Sequence, residues 1–248
     1  MEELKQYMDS TYLKTAEQAG LSESENEKIV VDLINEAIEE KFKLAMIRPE
    51  YVRLSRQLVD KTNSRVLIGT VIDFPEGNGG LEAKLKEARQ AITEGADELD
   101  YVVDYQAFKK GEINTVKDEV EQCTALGLSE DKTVKWIIEV AALTDGEIIK
   151  ITALIKNVVL RRFSEKDYDK VFVKSSTGFY KTSDGKPNGA TIHALVLMLE
   201  NAGPLPVKAA GGIRDRKTAL EMIGLGVKRL GTSSAKLIVS GSGSAAGY

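Results

Sequence analysis

Short runs of apolar and β-branched residues alternate with longer amphipathic segments along most of the chain. Eight short runs read as strands: "QYMDSTYL" (6–13), "FKLAMI" (42–47), "RVLIGTVI" (65–72), "ELDYVV" (98–103), "VKWIIEV" (134–140), "KVFVKS" (170–175), "LPVKAAG" (205–211) and "VKRLGTS" (227–233). One helix-sized segment separates most neighbouring runs. In "SESENEKIVVDLINEAIEEKF", Ser24 and Glu27 have capping-box spacing ahead of an apolar face of Ile29, Leu33, Ala37 and Ile38. "GLEAKLKEARQAITEGA" closes on a glycine, as a helix C-terminus does. Ile113, Val116, Val120 and Cys123 recur at helical spacing, which places Cys123 in a core.

Eight strands alternating with helices over 248 residues match a (β/α)8 barrel in count and length. An open doubly wound sheet would also alternate, but no G-x-G-x-x-G follows the first strand. The chain reads as one α/β barrel domain over 1–239, followed by a small-residue tail, "SGSGSAAGY" (240–248), expected to be flexible.

Composition narrows the chemistry. The formal net charge of -4 and the absence of a basic stretch argue against nucleic acid as partner. The start, "MEELKQYMDS", has neither a basic n-region nor an apolar h-region, and "ALVLMLE" is too short to cross a bilayer. The expectation is a soluble cytoplasmic protein with no membrane partner. One histidine (His193, inside the helix-like "ATIHALVLMLE") and one cysteine cannot compose a His/Cys zinc site, a disulfide or a Ser-His-Asp relay. His193 reads as structural. Acid–base chemistry is left to Lys, Asp, Glu, Tyr or water, with no metal or cofactor expected.

Several strands carry a charge inside an apolar run. Asp100 shares a face with Glu98 and Val102, Lys135 with Ile137 and Glu139, and Lys174 with Phe172, while Lys208 lies between Val207 and Ala209. "VFVKSSTGFY" (171–180) ends an apolar strand on Lys174, at the end where barrels carry their catalytic groups. A lysine there could simply snorkel outward. If one interior collects Asp100, Lys174 and Lys208, each charge has a partner, and a second ammonium ~6 Å away lowers the first lysine's pKa by about two units at a dielectric of ~20. Such an amine can form a Schiff base, the chemistry of a metal-free aldolase.

Two late turns suit an anion. "AAGGIR" (209–214) follows the seventh strand and "LGTSSAK" (230–236) the eighth, and glycines with hydroxyls ahead of a helix present N–H and O–H donors where barrels often bind phosphate.

Together "VFVKSSTGF", "VKAAGGIR", "ADELDYVV", "VKWIIEV" and "LGTSSA" resemble the deoxyribose-phosphate aldolase family, class I aldolases, from about Tyr7 to the C-terminus. The resemblance implies cleavage of 2-deoxy-D-ribose 5-phosphate to D-glyceraldehyde 3-phosphate and acetaldehyde, without a cofactor. It implies Lys174 as the Schiff-base lysine, with Lys208 and Asp100 perturbing it and moving protons. It also implies phosphate contacts from Gly178, Gly211, Gly212, Gly231, Ser233 and Ser234, with Arg214 matching the motif, and a proton-relay role for the C-terminal Tyr248. A homo-oligomer is compatible with the sequence, which does not set its order. Three departures stand out: "DSTYLK" where many relatives have D-H-T-L-L-K, Phe179 where some have lysine, and Met46 where many have cysteine. The rival readings are another Schiff-base barrel enzyme, such as a transaldolase, and a phosphosugar-binding barrel without turnover.

Overall fold

The computed structural model describes residues 2–183 and 185–241. Eight parallel strands close into one barrel in sequence order: β1 (Met8–Thr11), β2 (Leu44–Ile47), β3 (Leu67–Ile72), β4 (Glu98–Val102), β5 (Thr133–Ile137), β6 (Val171–Lys174), β7 (Val207–Ala210) and β8 (Arg229–Thr232), with β8 pairing back to β1. All eight fall inside the runs read as strands, apart from Thr133, one residue ahead of its run.

Each strand is followed by a helix that covers the barrel's outer face. The cover over β4 and β5 shows how tightly it fits. Tyr101 and Trp136 stack with ring centroids 5.0 Å apart, and the Trp136 indole N–H donates to Thr124 Oγ1 (3.0 Å) on the helix Ile113–Ser129. That helix buries Val116, Val120 and Cys123 as its spacing predicts, and burial pushes the Cys123 thiol up to about 12, so it is chemically quiet.

The helix Glu23–Glu40 departs from its expectation. Its cap is Ser22 with Glu25, because the chain is still extended at Ser22 (φ -73, ψ 160) and already helical at Ser24. The buried stripe is Asn26, Val30, Ile34 and Ala37; Ile29, Leu33 and Ile38 flank it, only partly buried. Asn26 can head an otherwise apolar stripe because it accepts from the Tyr12 hydroxyl (2.7 Å) and donates to the Lys14 carbonyl and the Tyr51 hydroxyl. The helix Leu81–Glu94 does close on Gly95, in the left-handed conformation (φ 102). The last helix, Ala235–Ser240, takes in the first residue of the expected tail, and Tyr248 lies outside the described residues.

Inside, the strands alternate as a barrel requires. Asp100 is level with Lys135, Ile137 with Lys174, and Lys174 with Lys208, while Lys208 in turn meets Arg229. The upper interior between β1 and β3 is apolar, a separate cluster of Leu13, Leu44, Met46 and Val71. The remainder is a charged core.

Candidate active site

Seven ionisable side chains fill that charged core: Asp9, Glu98 and Asp100 against Lys135, Lys174, Lys208 and Arg229, all buried. Lys135 bridges Glu98 Oε2 (2.5 Å) and Asp100 Oδ1 (2.6 Å). Lys208 bridges Asp9 Oδ2 (2.6 Å) and Asp100 Oδ2 (2.8 Å). Arg229 reaches Asp9 Oδ1 (2.5 Å) and both oxygens of Glu98 (3.1 Å each). Lys174 touches a single carboxylate among the described residues, Asp100 through Oδ2 at 2.8 Å.

Partner number decides which proton is held least firmly. Four cations against three carboxylates leave one positive charge uncompensated in a water-poor interior, and Lys174 is the cation with one partner rather than two. Burial lowers the Lys174 pKa most; Asp100 pulls it back up, Lys208 and Lys135 push it down, and it settles at about 8. The sequence argument gave the leading part to the second lysine. Burial leads instead, since Lys174 is only 3% exposed. Lys135 moves the other way: burial opposes its charge, but Asp100, Glu98 and Asp9 prevail and raise its pKa. Asp100 is held well below the usual carboxylate range because three lysines outweigh its burial. At pH 7 about a tenth of Lys174 is unprotonated, against roughly one part in 2,500 for a free lysine.

Above Lys174 lies a cavity of about 150 Å³, walled by the loops after β6, β7 and β8. Gly178, Gly211, Gly212, Arg214, Gly231 and Ser233 all line it. Among the described residues its cations are Arg214 and Lys174. Ser234 does not line it: this residue is buried and its N–H donates to Thr232 Oγ1 (2.9 Å), so it shapes the turn behind Ser233. Phe179 also lines the cavity, packed edge-on against Phe74 with centroids 5.1 Å apart, and makes an apolar wall. The backbones of the two glycine loops nearly touch. A Cβ on Gly189 would stand 2.3 Å from the Gly211 carbonyl oxygen, and Gly211 itself has φ 85, so neither position accepts a side chain without a shift.

The polar groups tie β6 to β7 beneath this cavity. The Ser175 hydroxyl accepts from the Ala210 N–H (3.0 Å), and the Ser175 N–H donates to the Lys208 carbonyl (3.1 Å), which fixes the two lysine-bearing strands against each other. His193 lies elsewhere, exposed at a helix start with Nε2 2.8 Å from Asp145 Oδ2, so it is a surface pair rather than a packed structural group. A larger open groove, between the helices Ile113–Ser129 and Asp145–Arg162, contains none of the seven core charges. Among the described residues no group of three or more His, Cys, Asp and Glu could hold a metal ion.

The DeoC/LacD family aldolase model matches residues 6–247. The chain belongs to this aldolase family. It is 38% identical to the deoxyribose-phosphate aldolase of Thermococcus gammatolerans over 213 residues, 86% of this chain and 88% of the relative. It is 35% identical to the deoxyribose-phosphate aldolase of Lactiplantibacillus plantarum over 95% of this chain and 98% of the relative. Among solved structures, the deoxyribose phosphate aldolase of Aeropyrum pernix, described as tetrameric, superposes with a TM-score of 0.76 at 30% identity, covering 96% of this chain and 90% of that one. The (β/α)8 aldolase barrel expected from the sequence is therefore the fold observed.

Sequence reasoning missed four members of the charged core as site residues: Asp9, Glu98, Lys135 and Arg229. Glu98 and Lys135 were legible as charges on inward strand faces. Asp9 and Arg229 pair across 220 residues of chain, through the β8–β1 closure, and no local signal announces them.

Proposed function

We propose that the chain is a class I aldolase that reversibly cleaves 2-deoxy-D-ribose 5-phosphate to D-glyceraldehyde 3-phosphate and acetaldehyde through a Schiff base on Lys174. The observation that carries this reading is a buried lysine with a pKa of about 8 at the floor of a small cavity, one strand from Lys208 and sharing a carboxylate with it. The names of the relatives support the substrate.

Lys174 Nζ attacks the aldehyde carbon of the open-chain sugar, and loss of water from the carbinolamine leaves an iminium ion. A water takes the proton of the C3 hydroxyl, with Asp100 the carboxylate closest at hand. The C2–C3 electron pair moves into the iminium, glyceraldehyde 3-phosphate departs, and an enamine remains on Lys174. Protonation at C2 and hydrolysis release acetaldehyde and restore the amine. Lys208 keeps Lys174 partly neutral and connects through Asp100 to the proton path. Gly178, Gly211, Gly212, Gly231, Ser233 and Arg214 receive the phosphate, with Ser234 only supporting their turn.

Assembly into a homo-oligomer belongs to the same proposal, supported by the tetramer described for the Aeropyrum pernix relative, and light scattering tests it. A cytoplasmic setting does too; among the described residues no helix is long and apolar enough to cross a membrane. The decisive experiment is borohydride reduction with acetaldehyde, followed by peptide mapping. A two-carbon adduct on Lys174, lost in Lys174→Ala together with turnover, is the expected result. An adduct on Lys208 instead reverses the assignment.

A further inference from the structure

Glu139 stands two residues beyond β5 and is 1% exposed, yet no step of the proposed reaction uses it. Its backbone is left-handed (φ 56, ψ 69), a conformation costly for any residue with a Cβ. Both neighbours in the chain are pinned to the Lys174 strand: the Ile138 N–H donates to the Lys174 carbonyl (3.0 Å) and the Val140 N–H to the Ser175 carbonyl (2.9 Å). The strained residue between them sends its carboxylate into the β6 loop. Oε2 accepts from the Thr177 N–H (3.1 Å) and from the Thr177 hydroxyl, while Oε1 is buried with no hydrogen-bond partner among the described residues. Thr177 Oγ1 in turn accepts from the Phe179 N–H (3.0 Å), and Asn188 Nδ2 donates to the Gly178 carbonyl (3.1 Å).

These bonds converge on one wall of the cavity. Thr177, Gly178 and Phe179 face the glycine turn at Gly211, so the directions fixed by Glu139 set the width of the proposed phosphate site. We infer that Glu139 is a positioning residue that holds the 175–179 loop in its anion-receiving shape, which rests on reading this cavity as the phosphate site. Its ionisation is secondary. Burial raises the carboxyl to about 7, against the Thr177 bonds and Lys174 that lower it and Glu76 that raises it further; the Tyr105 hydroxyl is the other titratable group beside it. A group only partly charged at neutral pH contributes chiefly a hydrogen-bond acceptor, and an amide oxygen can replace that.

The test compares Glu139→Ala, Glu139→Gln and Thr177→Val with the parent protein. For Glu139→Ala we expect KM for 2-deoxyribose 5-phosphate to rise at least tenfold with kcat within about threefold. Its kcat/KM for unphosphorylated 2-deoxyribose should stay within about threefold. Glu139→Gln should restore KM to within threefold, and Thr177→Val should shift KM in the same direction as alanine. Calorimetric binding of inorganic phosphate reads the inference without turnover: weaker by tenfold or more in Glu139→Ala, retained in Glu139→Gln. Equal losses on both sugars, or glutamine as damaging as alanine, would overturn it. So would a parent protein that binds no phosphate, a result that leaves Schiff-base trapping on Lys174 standing; a parent that binds phosphate but does not cleave the sugar overturns only the substrate assignment.

Discussion

Replacing Lys208 with leucine tests the electrostatics of the barrel interior through one quantity, the pKa of Lys174. Both lysine nitrogens lie 2.8 Å from the same oxygen, Asp100 Oδ2. They therefore stand at most about 5.6 Å apart, where two unit charges at an effective dielectric of about 20 repel by roughly 3 kcal/mol, or about two pKa units. Lys174 sits at about 8 with that repulsion in place. Without it, its pKa should rise toward about 10. Only the neutral amine attacks a carbonyl, so Schiff-base formation speeds up with pH through this pKa, and a raised pKa moves the rising limb to higher pH. Below both values the neutral fraction falls by up to about a hundredfold. The assay is the rate of reductive labelling by acetaldehyde, from about pH 6 to about pH 10, in the parent and Lys208→Leu proteins. A limb displaced by one to two units supports the argument. A limb that stays within about 0.3 units refutes it and leaves burial, with Lys135, as the cause of the low pKa.

Two further substitutions probe the cavity. Gly189→Ala forces a Cβ to within 2.3 Å of the Gly211 carbonyl oxygen, so it should cost about 1–3 kcal/mol in thermal unfolding and raise KM for the phosphorylated sugar; an unchanged melting curve and KM would show that the two loops yield freely. Met46→Cys places a thiol in the fully buried apolar cluster beside Leu13, which itself lines the cavity. Acetaldehyde condensation yields an α,β-unsaturated aldehyde that adds to thiolates far more readily than to a thioether, and the quiet Cys123 offers no competing target. Because Met46 is as fully buried among apolar side chains as Cys123, a thiol there should be equally quiet, and both proteins should lose activity at the same rate in high acetaldehyde; faster loss in the variant, with an adduct on residue 46 by mass spectrometry, would show that the aldehyde reaches this cluster.

The strands were legible because a barrel strand buried on both faces leaves a short, nearly unbroken apolar run, and a charge inside such a run is conspicuous. That is why Lys174, Lys208 and Asp100 could be singled out. Their balance could not. Lys135 turned out to hold two carboxylates and Lys174 one, and that difference, on which the proposed choice of nucleophile rests, arises from register between strands rather than from either strand alone. Local signals also slipped by small offsets with large consequences. The cap of the first long helix lies two residues before the expected pair, because a serine can cap only where the backbone is still extended. Ser234 has the same residue type as its neighbour, but it is buried at the turn into the last helix, whereas Ser233 is exposed and lines the cavity. Glu139 was visible as an inward charge, whereas its left-handed backbone, which turns it toward Thr177, has no sequence signature.

Asp100→Asn should move the labelling limb in the direction opposite to Lys208→Leu. Asp100 receives Lys135 on Oδ1 and both Lys174 and Lys208 on Oδ2, and it is the strongest influence keeping Lys174 charged. With asparagine there, four cations face two carboxylates, and Lys174 loses its single counter-ion. Its pKa should drop below about 8, so that more of it is neutral at pH 7 and labelling by acetaldehyde extends to lower pH. Turnover should nevertheless fall, because the iminium ion is also a cation and would lack the same partner. Leaving buried charges unpaired costs about 3–5 kcal/mol, so the comparison belongs well below the variant's melting temperature. The two readouts separate two roles for Asp100. If it acted only as the base for the C3 hydroxyl, labelling by acetaldehyde, which has no C3 hydroxyl, would keep the parent's limb at every pH. That result would sink the charge-balance account while leaving Lys174 as the proposed nucleophile.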